Sequence, residues 1–166
     1  MMGAYRRALA RLAAADVAHV VWKSLEHFEA QLRGEGDLDV LFAPDARAAA
    51  EAALRGAGFA EDRHSPDRVG QRIKVFRGFD GATLGHATVH AHFGCWFGSK
   101  RLKEFRFPHE AEMFERAVVE RGVPRLCEGH FLVTRLLIVA LRKTYGDTYV
   151  CELARLASPR SEGARE

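Results

Sequence analysis

A chain of 166 residues, 48% hydrophobic and 28% charged, has the ordinary balance of a single globular domain able to bury a core. Its formal charge of +3 is too small to mark a general nucleic-acid binder. Cys95, Cys127 and Cys151 are odd in number and widely spaced, which excludes both a disulfide framework and a Cys-x-x-Cys metal knuckle and suits a reducing cytoplasm.

In chain order, residues 5–15 are rich in Ala, Leu and Arg and predict a helix, and residues 18–22 predict a buried strand that ends in Lys23-Ser24. A short helix over 25–32, with Ser24 as its cap, leads through Gly34-Glu35-Gly36 into a strand over 37–42. Pro44-Asp45 opens a helix over 46–55, which Gly56 and Gly58 stop. Two longer strands follow at 71–79 and 86–93. They are joined by Asp80-Gly81-Ala82-Thr83 and are expected to pair antiparallel. Pro108 opens a helix expected to run through residue 119, and an apolar helix over 129–144, ended by Gly146, is expected to pack on the sheet. The pattern gives an α+β fold, a mixed β-sheet packed by helices with helices at the C-terminus. It forms one domain over 1–157, with a polar flexible tail over 158–166. The longest apolar stretch, residues 136–141, is far too short for a bilayer, and the N-terminus has no signal-peptide pattern, so a soluble cytoplasmic protein without membrane partners is expected.

The strand over 37–42 carries the strongest chemical signal. Alternation along a strand puts Asp37, Asp39 and Leu41 on one side and Leu38, Val40 and Phe42 on the other. The two carboxylates then stand roughly 6.6 Å apart at their Cα atoms, where they repel unless a cation lies between them. A hard divalent ion, Mg²⁺ or Mn²⁺, is the expected occupant. An unneutralised acidic pair costs the fold energy, so removing either carboxylate is expected to cost little stability.

Ahead of that strand, a helix starting at Ser24 offers unpaired backbone N–H groups and the positive end of its dipole, and Lys23 adds a full charge; phosphates fit there. His90 and His92 lie two apart on a strand and so face one way, as a metal-ligand pair or a hydrogen-bonded pair lining the same cleft. Lys100, Arg101, Lys103 and Arg106 form a basic cluster suited to an anionic ligand, with Lys100 and Arg101 as candidate nucleotide contacts.

A strand, a turn at Lys23-Ser24 into a helix, and a second strand carrying Asp37-Leu38-Asp39 thirteen residues on from Ser24 together resemble the nucleotidyltransferase-fold superfamily, the polymerase-beta-like group. The resemblance is closer to a bacterial subset with a Trp-Lys-Ser turn and a Gly-x-x-Asp-hydrophobic-Asp strand, matched by Trp22-Lys23-Ser24 and by Gly34 through Asp39. A later strand in that subset reads Asp-hydrophobic-His-aromatic. Here His90-Ala91-His92-Phe93 matches at His92 and Phe93, while His90 stands where the superfamily has its third carboxylate, and Lys23 replaces the first Gly of the turn.

The resemblance implies a nucleotidyltransferase-like fold and an enzyme moving a nucleoside monophosphate from a nucleoside triphosphate to an acceptor that the sequence does not identify: small molecule, protein or RNA. Asp37 and Asp39 would hold the metal and, with His90, form the catalytic set; Lys23, Ser24, Lys100 and Arg101 would bind the nucleotide, with His92 in the cleft. The alternative it leaves open is a catalytically impaired binding or regulatory module, because the third acid is absent.

Overall fold

Gly34 and Gly36 both take positive φ, 96° and 71°, and turn the chain into the acidic strand as the sequence predicts. In the computed structural model, which describes residues 3–23, 25–67, 69–98, 103 and 105–141, that strand is the centre of a seven-stranded mixed sheet. Gly34 also approaches another element closely: a Cβ there would lie 2.9 Å from Asp80 Oδ2.

The first half of the chain builds most of the sheet. Helix α1 (Ala4–Ala14) precedes β1 (His19–Val21); a 3₁₀ turn (Leu25–His27) and α2 (Phe28–Leu32) lead to β2 (Leu38–Phe42); and a second 3₁₀ turn (Pro44–Ala46) opens α3 (Arg47–Gly56). Then come β3 (Phe59–Glu61), β4 (Ile73–Asp80) and β5 (Gly85–Phe93). The strand order is β3-β4-β5-β2-β1, continued by two later strands described below. The β4–β5 hairpin is antiparallel with Asp80 opposite Gly85, as expected, whereas β5 runs parallel to β2 and β2 antiparallel to β1.

Both faces of the sheet are covered, so its central strands read as nearly continuous apolar runs. On one face Val21, Leu38, Val40, Phe42, Val89, Ala91 and Phe93 share a core with Leu9 and Leu12 of α1, Phe28 and Leu32 of α2, and Leu54 of α3. On the other face Val20, Trp22 and Leu41 share a second core with Cys95, Phe97, Met113, Leu126, Phe131 and Ile138. The alternation Leu38, Val40, Phe42 against Leu41 is the one the sequence predicts, and it leaves Asp39 on the second face.

The last third departs from expectation. Instead of one helix over 108–119, a short α4 (Glu110–Glu115) is followed by a hairpin of β8 (Val118–Glu120) and β9 (Val123–Arg125), after the small hairpin of β6 (Trp96–Phe97) and β7 (Phe105–Arg106). Arg121 and Gly122 take φ of 53° and 77°, the left-handed pair of a tight hairpin turn, and the β-branched Val118, Val119 and Val123 flank it. Pro124, which cannot donate within a helix, sits in β9. The parallel pairing of β9 with β1 completes the sheet order as β1-β9-β8. Helix α5 (Glu128–Leu141) packs Phe131 and Ile138 into the second core. The expected end of that helix at Gly146 and the tail over 158–166 lie outside the described residues. Among the described residues, no helix is long and apolar enough to cross a membrane.

Candidate functional site

The register of β2 and β5 brings the candidate residues together. Asp39 is the Cα partner of His90 and Leu41 that of His92, and partnered residues on adjacent strands face one way. The end of β1 runs alongside: the Trp22 backbone N–H donates to the Asp39 carbonyl at 3.3 Å, which delivers the Lys23 side chain to the same place. A cleft of about 480 Å³ opens there between the His27–Gln31 segment and the strand ends, and Gly36, Asp37, Asp39 and His90 line its floor.

Among the described residues, the polar contacts of the Asp39 side chain fall on Oδ1. His92 Nε2 lies 2.7 Å away, Lys23 Nζ 3.2 Å and His90 Nδ1 3.7 Å. The other ring nitrogen of His90, Nε2, stands 3.8 Å from Asp37 Oδ2, so the imidazole bridges the two carboxylates. Lys23 Nζ also sits over the Trp22 ring, 4.4 Å from its centroid, and the Trp22 and His92 rings meet edge to face at 4.8 Å.

Charge follows from these distances. Burial opposes ionisation of Asp39, but the Lys23 ammonium, the nearby His90 ring and the hydrogen bond from His92 outweigh it and hold the carboxyl well below its ordinary range. Burial, reinforced by Lys23, pushes His92 down to about 3, so this ring is neutral. A neutral imidazole 2.7 Å from an ionised carboxylate carries its proton on Nε2 and donates it there; Nδ1 is buried without a partner among the described residues. His90 moves the other way. Burial works against its protonation, but the adjacent Asp39 carboxylate, joined by the charge of Asp37, prevails and raises it.

Lys23, Asp37, Asp39, His90 and His92 thus meet across the interior strands β1, β2 and β5, and the His90 ring lies on the side of the carboxylates. The remaining expected nucleotide contacts, Ser24, Lys100 and Arg101, lie outside the described residues. Three further residues support the set, of which Gln31 and Tyr5 were not anticipated. The Gln31 amide donates to the Asp37 carbonyl at 2.7 Å. The Tyr5 hydroxyl donates to the Gly36 carbonyl at 2.6 Å while accepting from the Thr88 backbone N–H at 2.9 Å, which ties α1 to the starts of β2 and β5. Trp22 walls the pocket of His92. Trp22 belongs to the Trp22-Lys23-Ser24 turn quoted above, Tyr5 has no sequence signal, and Gln31 stands out only as an isolated polar residue on the buried side of a short helix.

Among the described residues, no group of three or more His, Cys, Asp or Glu side chains is arranged to hold a metal ion. Among these residues a cage made of protein alone is not formed. Asp39 and half-exposed Asp37, which both line the cleft, fit an ion that arrives on phosphates, since Mg²⁺ is typically held by one or two carboxylates plus substrate oxygens.

No protein-family model matches the chain, and no curated protein matches it. At the level of fold the chain is similar to the crystal structure of a "putative nucleotidyltransferase from H. pylori", with a TM-score of 0.45 and 9% sequence identity over 80% of this chain. It spans 55% of that protein's length.

Proposed function

We propose that the cleft binds a nucleoside triphosphate together with Mg²⁺ or Mn²⁺, and that the protein is a nucleotidyltransferase passing the nucleoside monophosphate to an acceptor hydroxyl or phosphate. The observation that carries this is that Asp37, Asp39 and His90 line one open cleft while the Lys23 ammonium stands beside it, 3.2 Å from Asp39 Oδ1. Oxygen ligands and a cationic phosphate partner side by side form a set suited to phosphoryl chemistry. Asp37 and Asp39 would hold the ion. The chemistry a divalent ion supplies in such a site is neutralisation of phosphate charge and a lowered pKa at the attacking hydroxyl.

The chain's own groups do the rest. Lys23 pairs with phosphate oxygens, and Ser24 remains a proposed nucleotide contact. His92 donates from Nε2 and fixes the orientation of the Asp39 carboxylate. His90, between the two acids, is placed to accept the proton of an acceptor hydroxyl when neutral. Lys100 and Arg101 remain proposed nucleotide contacts.

One observation favours a second reading. His90 already bridges Asp37 and Asp39, a position that suits a module binding nucleotide without turnover. A screen of labelled nucleoside triphosphates with Mg²⁺ or Mn²⁺, scored for binding and for released diphosphate, separates the two. Binding with diphosphate release supports the transferase; binding without it supports the module; no divalent-dependent binding of any nucleotide overturns both.

A further inference from the structure

We propose, on the basis of the triphosphate site above, that Lys23 is a built-in counter-ion that must leave Asp39 before a metal can use it, so that the cleft selects a metal-complexed triphosphate over either component alone. The ammonium has partners of its own beside the cleft. It lies 3.2 Å from Asp39 Oδ1, over the indole of Trp22 and 3.3 Å from His92 Nε2. Because Nε2 spends its proton on Asp39, the Lys23 contact that counts is the carboxylate.

A bare divalent ion approaching Asp39 meets this ammonium. The Asp39 side chain is only 14% exposed, so two cations competing for one carboxylate repel with little screening. A bare triphosphate meets the opposite difficulty, since Asp37 and Asp39 face the same cleft and repel it. When the two arrive as one complex, each charge finds a partner: Lys23 exchanges Asp39 for a phosphate oxygen, and the carboxylates take the ion. The side chain is 21% exposed, and its four-carbon stem can make this exchange. His92 does not move with it; the bond from Nε2 holds Asp39 in place while the ammonium departs. Metal and triphosphate are then positively coupled through Lys23, each raising the affinity of the other.

Calorimetric titration of the full chain with Mn²⁺, with inorganic tripolyphosphate, and with the preformed Mn²⁺–tripolyphosphate complex tests this, and melting shifts give an independent readout. The unaltered chain is expected to bind the complex about 10-fold or more tighter than either component. Lys23→Gln is expected to bind Mn²⁺ alone more tightly than the parent and to lose most of the advantage of the complex. Lys23→Met serves if the glutamine variant melts abnormally. Parental Mn²⁺ affinity and parental preference in both variants overturn the counter-ion role. Asp39→Asn keeps that failure distinct from failure of the site: if it weakens the complex while the Lys23 variants change nothing, only the Lys23 inference falls. If it changes nothing, or the parent binds none of the three, the triphosphate site falls as well.

Discussion

Asp39 and His92 are 53 residues apart in the chain and 2.7 Å apart in the structure, joined between Oδ1 and Nε2. The bond joins an ionised acid to an imidazole that burial keeps neutral, so it orients a carboxylate without cancelling its charge. His90, one strand pairing away from the same acid, has the opposite tendency and gains a proton readily.

The two rings therefore titrate apart. In an imidazole NMR titration, His92 stays neutral down to about pH 4, because its pKa falls to about 3, while His90 protonates above the ordinary value of about 6.5. Their effects on stability have opposite signs. The unfolded chain protonates His92 near pH 6.5 and the folded chain does not, so its share of stability is full above that pH and is lost as pH falls towards 3. For His90 the folded form holds the proton more tightly, so its share is full below about pH 6.5 and is lost as pH rises through the higher folded value. Urea denaturation across pH, with His90→Gln and His92→Gln beside the parent, reads the two terms separately. A His92 ring that titrates near pH 6.5 rules out the buried neutral assignment.

Asp37 and Asp39 should not respond alike to truncation, contrary to the symmetric expectation from sequence. Asp37 is half-exposed and touches His90 only at 3.8 Å, so Asp37→Ala is expected to leave stability unchanged within about 0.5 kcal/mol. Asp39→Ala strands the buried Nε2–H of His92 and removes the partner of Lys23, at a cost of about 2 kcal/mol. Chemical denaturation of the two variants checks the difference, and equal losses would remove the assigned role of Asp39 as the hub of the site.

Most of the first 93 residues were legible because local signals agreed with tertiary packing, although the short edge strand β3 (Phe59–Glu61) was not read. Glycines at 34 and 36 mark the turn, the apolar residues of β2 alternate between two cores, and the acidic pair interrupts that alternation at one end. The register that places His90 beside Asp39 needed only two strands read correctly. The stretch from 108 to 125 was not legible in the same way. Pro108 and the acidic residues at 110 and 112 start a helix, but the hairpin after it depends on a left-handed arginine at 121 and on a parallel pairing with β1 about one hundred residues earlier. Nor does charge patterning alone reveal that Lys23 rests on Asp39, since that contact exists only once β1 and β2 are paired.

Gly34 and Gly36 offer a graded test of the turn that aims the acidic strand. Both have positive φ, so alanine at either is strained by roughly 1 kcal/mol. Only Gly34 also faces a neighbour, because its added Cβ would meet Asp80 Oδ2 at 2.9 Å and Thr83 at 3.2 Å. Gly34→Ala should therefore destabilise more than Gly36→Ala, whose Cβ points into open space. Melting temperatures that rank the pair in reverse would contradict the packing of the β4–β5 turn against the glycine turn after α2.

His90→Asp addresses the missing third acid. The substitution replaces a ring that bridges Asp37 and Asp39 with a third carboxylate beside them, where like charges repel. In EDTA the variant is expected to melt below the parent. Mg²⁺ should restore more stability to it than to the parent, because a carboxylate is a better ligand for this hard ion than imidazole and because binding to the folded state alone raises its stability. Transfer from a labelled nucleoside triphosphate then decides what His90 does. A gain in the variant marks the parent as an attenuated transferase, whereas a loss from an active parent gives His90 the role of base. Unchanged melting in EDTA and in Mg²⁺ would mean that position 90 does not share an electrostatic site with the two aspartates.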